Sequence, residues 1–126
     1  MSSHKLILLV EDVSTLRSII ARNLVARGYR VIEADCAREA LARLNENEPD
    51  LMLLDINLPD RSGWDVLREV RRQAKNVPVV ITSAVRVNQE RLDEFRPLAF
   101  LPKPFSLEAL LRIVAAARPK EGELVP

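Results

Sequence analysis

Asp50-Leu51-Met52-Leu53-Leu54-Asp55-Ile56-Asn57-Leu58-Pro59 sets an unbroken apolar run between two aspartates, with a proline closing the turn that follows. A strand with water on one face alternates apolar and polar side chains, whereas one covered on both faces is apolar throughout. The run is also far short of the roughly 20 apolar residues a membrane helix needs. It reads as a buried strand of a parallel sheet, with Asp55 delivered at its carboxyl end. Leu6-Ile7-Leu8-Leu9-Val10 and Val79-Val80-Ile81 repeat the signature, and Val31-Ile32 and Leu98-Ala99-Phe100-Leu101 are weaker strand candidates.

Segments of helical period lie between these runs. From Ser14 to Arg27, Leu16, Ile19, Ile20 and Leu24 recur at spacings of three and four, and Gly28 stands where a helix-ending glycine belongs. Ala37 to Leu44 and Trp64 to Arg72 repeat the pattern, with Trp64, Leu67 and Val70 read as packing residues. Asn88–Arg96 is shorter and more polar, and Pro97 should stop it because proline disfavours helix at the residue before it. Ser106 is a plausible N-cap for a last helix bearing Leu107, Leu110, Leu111 and Val114 on one stripe. Strand and helix thus alternate five times, which argues for an α/β, doubly wound parallel sheet with helices on both faces.

The composition of this 126-residue chain excludes several classes. It is 48% hydrophobic and 29% charged, as in ordinary globular domains, and a net charge of +1 offers no electrostatic basis for binding nucleic acid or an anionic membrane. Cys36 is the single cysteine, in a strand-to-helix connection, and has no intrachain disulfide partner; this fits a reducing compartment. His4 is the single histidine and lies in the N-terminal tail, which argues against a histidine-based triad or a phosphohistidine carrier. The first residues lack a signal-peptide layout, so a soluble cytoplasmic protein is the expectation.

In doubly wound sheets, ligands bind outside the carboxyl ends of the strands. There the strands should present Glu11-Asp12, Asp55, Thr82-Ser83-Ala84 and Lys103-Pro104. Clustered carboxylates repel and need a compensating proton or cation. An oxygen-rich acidic set on loop ends suits Mg²⁺, held by one or two carboxylates plus substrate phosphate. With the metal and Lys103 neutralising charge, a carboxylate can attack a phosphoryl group and form an aspartyl phosphate.

These residues resemble the receiver domain of two-component response regulators, in particular the single-domain chemotaxis-type receivers. The likeness spans about Lys5 to Arg118 and rests on four blocks in order. They are Glu11-Asp12; Asp50 to Pro59 with Gly63; Pro78-Val79-Val80-Ile81-Thr82-Ser83-Ala84; and Phe100-Leu101-Pro102-Lys103-Pro104-Phe105. The resemblance implies a flavodoxin-like (βα)5 fold of strand order 2-1-3-4-5, with a receiver domain over residues 5–118. Residues 1–4 would be an N-terminal tail, and 119–126 a tail or the start of a linker.

It further implies that Asp55 is the phosphoacceptor. Glu11, Asp12, Asp55 and the backbone carbonyl of Asn57 would hold Mg²⁺. Lys103 would pair with Asp55 and then with the phosphoryl oxygens, aimed by a cis bond before Pro104. Ser83 would be the switch hydroxyl and Phe100 the aromatic that reports the state of the site. Ser83 rather than Thr82 is assigned because it lies five residues after Pro78 and precedes the small Ala84, while Thr82 should point to the opposite face. Asn57 and Val85 stand two positions after the phosphoacceptor and the switch, where they would tune phosphoryl lifetime.

The implied function is a phosphorylation-dependent signalling switch, not a turnover enzyme. The donor would be a sensor histidine kinase or a phosphotransfer protein. The listener, a downstream protein or a covalently linked effector, would read the face of the fourth helix, fifth strand and fifth helix; a phosphorylation-dependent homodimer is a further partner this allows. Two alternatives compete: a receiver-like scaffold that works without phosphorylation, and a hydrolase passing through an aspartyl phosphate. The second is disfavoured because Asn57 stands where such enzymes place a second acid. A calcium loop over Asp55, Asn57 and Asp60 fails because Pro59 and Asp60 occupy positions that need a ligand and a glycine. A dinucleotide-binding domain fails because no glycine-rich turn follows the first strand.

Taken singly, Glu11-Asp12 reads as a solvated loop pair, Lys103 as a surface lysine and Phe100 as a core aromatic. The chain also departs from the pattern: Arg96-Pro97 stands where many receivers carry a small Gly-Ala pair, and the span from Ser83 to Lys103 is a residue or two short. No helix-turn-helix or catalytic effector pattern follows residue 118, so the expectation is a stand-alone receiver or one cut from a longer protein.

Overall fold

The computed structural model describes residues 5–117; the tails expected at 1–4 and 119–126 lie outside them. Five strands alternate with five helices: β1 Leu6–Val10, α1 Ser14–Ala26, β2 Arg30–Ala34, α2 Ala37–Glu46, β3 Leu51–Asp55, α3 Gly63–Arg72, β4 Val79–Ser83, α4 Gln89–Phe95, β5 Ala99–Pro102 and α5 Leu107–Ala116. All adjacent strands pair in parallel, in the order β2-β1-β3-β4-β5 expected from the resemblance. The two weak strand candidates are strands, β2 extending to both sides of Val31-Ile32 and β5 starting one residue later than the apolar run.

Every residue of β1, β3 and β4 is buried. Alternate side chains of each strand enter opposite cores. Leu8, Val10, Met52, Leu54, Val79 and Ile81 meet Ala40 and Leu44 of α2 and Val66, Leu67 and Val70 of α3. On the other face Ile7, Leu9, Leu51, Leu53 and Val80 meet Ile20 and Leu24 of α1 and Leu110, Leu111 and Val114 of α5. Each fully buried aliphatic side chain contributes about 1.5–3 kcal/mol of apolar transfer. A slip of one residue in any of these strands would exchange two complete apolar sets, so the register is strongly held.

The helix ends have identifiable causes. Gly28 follows α1 at φ 95°, a left-handed position that favours glycine. Ser62, Asn88 and Ser106 cap α3, α4 and α5, accepting from the amides of Trp64, Arg91 and Ala109. The short span noted before Lys103 coincides with α4, which has seven residues where the other helices have ten to thirteen. It ends at Arg96, which adopts φ 48° immediately before Pro97.

Candidate functional site

Chain order reverses between β1 and β3, because β1 continues to β2 on one side and β3 to β4 on the other. That reversal opens a crevice at the carboxyl ends of the two strands. Glu11, directly after β1, and Asp55, the last residue of β3, stand on either side of it, both 2% exposed. Asp12 is exposed beside them, and one carboxylate oxygen from each of Glu11, Asp12 and Asp55 lies within 4.8 Å of the others.

Lys103, one residue beyond β5, reaches across the sheet into this cluster. Its Nζ donates to Glu11 Oε1 at 2.8 Å and to Asp55 Oδ2 at 3.0 Å. The peptide bond between Lys103 and Pro104 is cis. Burial pushes the Glu11 carboxyl above its ordinary range, against the opposing pull of Lys103 and the Val13 amide. Burial acts to lower the Lys103 ammonium, but its bonds to Glu11 and Asp55 outweigh it and hold the pKa above the usual value. The lysine therefore stays charged and compensates part of the acidic cluster.

The donor set is all oxygen and partly open to water. Octahedral Mg²⁺ with bonds of about 2.1 Å sets its ligand oxygens about 3–4 Å apart, and the three carboxylate oxygens lie within a slightly wider limit of 4.8 Å. These residues fit a hard divalent cation that keeps some of its water.

The loop after Asp55 is built around close backbone contacts. The Asn57 amide donates to Asp55 Oδ1 at 3.1 Å, and Asn57 forms an antiparallel bridge with Ser62. The Gly63 amide donates to the Ile56 carbonyl at 2.7 Å. Ser83 is fully buried at the end of β4; its hydroxyl donates to the Val85 carbonyl at 2.9 Å and accepts from the Val85 amide at 3.1 Å. Its neighbour Thr82 pairs with Asp55 in the sheet register. Phe100, in β5, is half-buried against the α2–α3 core, and Pro104 is exposed. Glu11, Asp12, Asp55 and Lys103 are thus brought together, whereas the Ser83 hydroxyl is engaged with its own loop.

Two contributors carried no signal of their own in the sequence. Arg17, which helical periodicity places on an outer face of α1, donates from Nη1 to the Glu11 carbonyl at 2.8 Å and pairs with Glu33 at 3.1 Å. Asp60 turns away from the acidic cluster and accepts from the first two amides of α2, Ala37 at 2.8 Å and Arg38 at 2.9 Å. Asp50 is likewise committed elsewhere, accepting from the Leu6 amide at 2.8 Å at the start of β1.

A parallel five-stranded sheet with a lysine-bridged acidic crevice where the chain order reverses defines a doubly wound α/β domain with an acidic ligand site. Residues 7–115 match the response regulator receiver domain, and the chain belongs to that family. It is 35% identical over 92% of its length to the two-component response regulator PhoP of Pseudomonas aeruginosa, covering 53% of that protein. Its fold superposes on the chemotaxis response regulator CheY4 of Vibrio cholerae with a TM-score of 0.82 and 26% identity, covering 90% of this chain and 98% of that one. For the response regulator TrrA of Thermotoga maritima, solved in complex with Mg²⁺ and BeF, the TM-score is 0.77 and the identity 28%, over 88% of this chain and 96% of that one. The chain spans a quarter to about half the length of the first curated relatives it matches. No described helix is long and apolar enough to cross a membrane.

Proposed function

We propose that this receiver accepts a phosphoryl group on Asp55 from a histidine kinase or phosphotransfer protein and passes the change of state to a downstream partner or linked effector. The observation that carries the reading is the Lys103 ammonium bonded to both Asp55 and Glu11 within a three-carboxylate cluster. The TrrA complex, which holds Mg²⁺ and a phosphoryl-like BeF group, supports it by analogy.

Glu11, Asp12, Asp55 and the Asn57 carbonyl would hold Mg²⁺, which when bound screens the incoming phosphoryl oxygens from the carboxylates. Asp55 supplies the nucleophilic carboxylate oxygen. As its bond to phosphorus forms, the phosphorus–nitrogen bond of the donor phosphohistidine breaks, and the released imidazole nitrogen takes up a proton. Lys103 transfers its contact from Asp55 to a phosphoryl oxygen and neutralises charge that the transfer brings in. The burial of Asp55 keeps bulk water from competing with this arrangement.

Switching follows from the new charge, about −1.5 to −2, at the strand edge. For Ser83 to donate to a phosphoryl oxygen, its hydroxyl must leave Val85, which frees the loop leading into α4. Phe100 then repacks, altering the face of α4, β5 and α5. Charge-assisted hydrogen bonds contribute roughly 1.5–3 kcal/mol each. Two or three of them reach the approximately 5.5 kcal/mol that reverses a 1:99 equilibrium.

The test is incubation with acetyl phosphate or phosphoramidate and Mg²⁺, followed by intact mass. Gain of one phosphoryl group, abolished in Asp55→Asn, is the expected result. An undiminished gain in that variant would move the acceptor elsewhere, and no gain at all would favour the phosphorylation-independent scaffold.

A further inference from the structure

At the end of the sheet away from Asp55, the C-terminal part of α3, the loop into β4, the end of α4 and the start of β5 enclose a groove of about 510 Å³. Val70, Phe95, Pro97 and Leu98 give it an apolar lining, and Leu98 remains 53% exposed there. Arg71, Lys75 and Arg96 supply its charge, and no acidic residue lines it.

These cations differ from their neighbours in how they are used. Arg61 and Arg68 pair with Asp65, and Arg72 pairs with Glu69. By contrast, Arg71 donates to the Glu94 carbonyl at 2.6 Å and stacks over the Phe95 ring, while Lys75 donates to the Leu44 carbonyl at 2.8 Å. Among the described residues, Arg71, Lys75 and Arg96 make no ion pair with a carboxylate. The Arg96-Pro97 junction, where this chain departs from the receiver pattern, forms part of the wall. Its left-handed turn places a cation beside Pro97 and the exposed Leu98.

We infer that this groove docks an acidic segment of a partner protein that also carries large apolar side chains. The apolar lining favours burial of leucine- or phenylalanine-sized groups, and the three cations are complementary to carboxylates flanking them. Nucleic acid fits less well, because its affinity comes mainly from neutralising many phosphates, and three cations against an apolar wall offer few such contacts. The surface lies at the opposite end of the sheet from Asp55, so its occupancy does not require phosphoryl transfer.

The probe is a synthetic peptide, acetyl-Glu-Leu-Glu-Glu-Phe-Leu-Glu-amide, titrated into the ¹⁵N-labelled full chain. The expected result is saturable amide shifts concentrated at positions 70–79 and 95–98, retained in Asp55→Asn. Lys75→Glu and Arg96→Glu should each weaken binding severalfold, and together at least tenfold. Arg71→Gln, which removes the charge but keeps a polar side chain, should also weaken binding severalfold. A peptide with Lys replacing Glu, or Ala replacing Leu and Phe, should not bind. Absence of shifts at about 1 mM peptide, shifts centred elsewhere, or undiminished binding by all three charge variants overturns the proposal. Equal binding of a single-stranded oligonucleotide overturns it in favour of a general anion surface. Concentration-dependent dimerisation that shifts the same amides without peptide overturns it in favour of a second copy of this chain.

Discussion

Gly63 lies against the backbone of Asp55: a Cβ built on this glycine would sit 2.8 Å from the Asp55 carbonyl oxygen and 2.9 Å from the Ile56 Cα. Both atoms are main chain and neither can step aside without moving the loop that follows Asp55. Gly63→Ala is therefore expected to lose about 2–3 kcal/mol of stability, at the upper range for overpacking. It should also slow phosphorylation by acetyl phosphate. Urea unfolding and intact-mass time courses measure the two effects, and wild-type values for both would show that the loop tolerates the methyl group.

Asp60 performs for α2 what Cys36, its N-cap residue, does not, since no side-chain cap bond comes from Cys36. Burial acts to raise the Asp60 pKa, but hydrogen bonds from the amides of Ala37, Arg38 and Arg61 outweigh it and hold it below the ordinary 3.8. A carboxyl depressed on folding stabilises the protein above its unfolded pKa, and that contribution disappears as pH falls through the folded value. Asp60→Ala should cost about 0.5–2 kcal/mol near neutral pH. The difference from wild type should shrink below pH 3.8, as chemical unfolding at a series of pH values would reveal. A difference that stays constant into acid would rule out the carboxylate as its source.

Lys103 compensates two buried acids. In Lys103→Met, Glu11 and Asp55 remain without that cation, and stability without metal should fall by about 2–3 kcal/mol. The drop stays at the low end because Asp12 leaves the cluster open to water. Mg²⁺ should recover more stability in the variant than in wild type, while phosphorylation remains impaired. Thermal melts with and without Mg²⁺ check this; an identical metal increment in both proteins would contradict it.

Ser83 and Thr82 offer a paired comparison. Ser83→Ala removes a buried hydroxyl with two bonds to Val85 and should cost about 1 kcal/mol. It should still take up a phosphoryl group, but the spectral change that phosphorylation induces in α4 and β5 should be largely lost. Thr82→Ala should keep that change. NMR of both phosphorylated variants distinguishes them, and the reverse outcome would exchange the two assignments.

The helix α4 buries none of its residues fully, and Phe95 stacks on Trp64 with ring centroids 5.5 Å apart. Helices this short are unstable alone in water. Phe95→Ala should remove about 0.5–1.5 kcal/mol of aromatic pairing beyond the burial lost. Hydrogen exchange should rise across residues 89–95 with little change in the α1 and α5 core. A uniform rise over the whole chain would mean that α4 does not open as a separate unit.

The acidic crevice itself was legible before the fold was known, because each of its members stands within two residues of the end of an apolar run. Strand continuity reports burial on both faces, burial implies a parallel sheet, and a parallel sheet gathers the residues at its carboxyl ends. The residue types themselves suggest Mg²⁺ and aspartyl-phosphate chemistry, but which residue is expected as acceptor, metal holder or switch came from resemblance, since spacing gives proximity and not individual roles. β2 and β5 were fainter because they are the edge strands, where fewer side chains are fully covered and the apolar signal is diluted.

What the sequence by itself determined was therefore the layered architecture and the convergence of Glu11, Asp12, Asp55 and Lys103. Both rest on local patterns of burial repeated along the chain. Only the tertiary structure decided that Asp60 caps α2, that Arg17 holds the Glu11 carbonyl, and that cations without an ion pair among the described residues rim a groove beside Pro97. Asp60 and the amides it caps are 22 and 23 residues apart, so no periodicity links them. The same holds for Asp55 itself: its place at the end of β3 is written locally, while its burial against Gly63 and its bond to Lys103, 48 residues away, exist only once the sheet has closed.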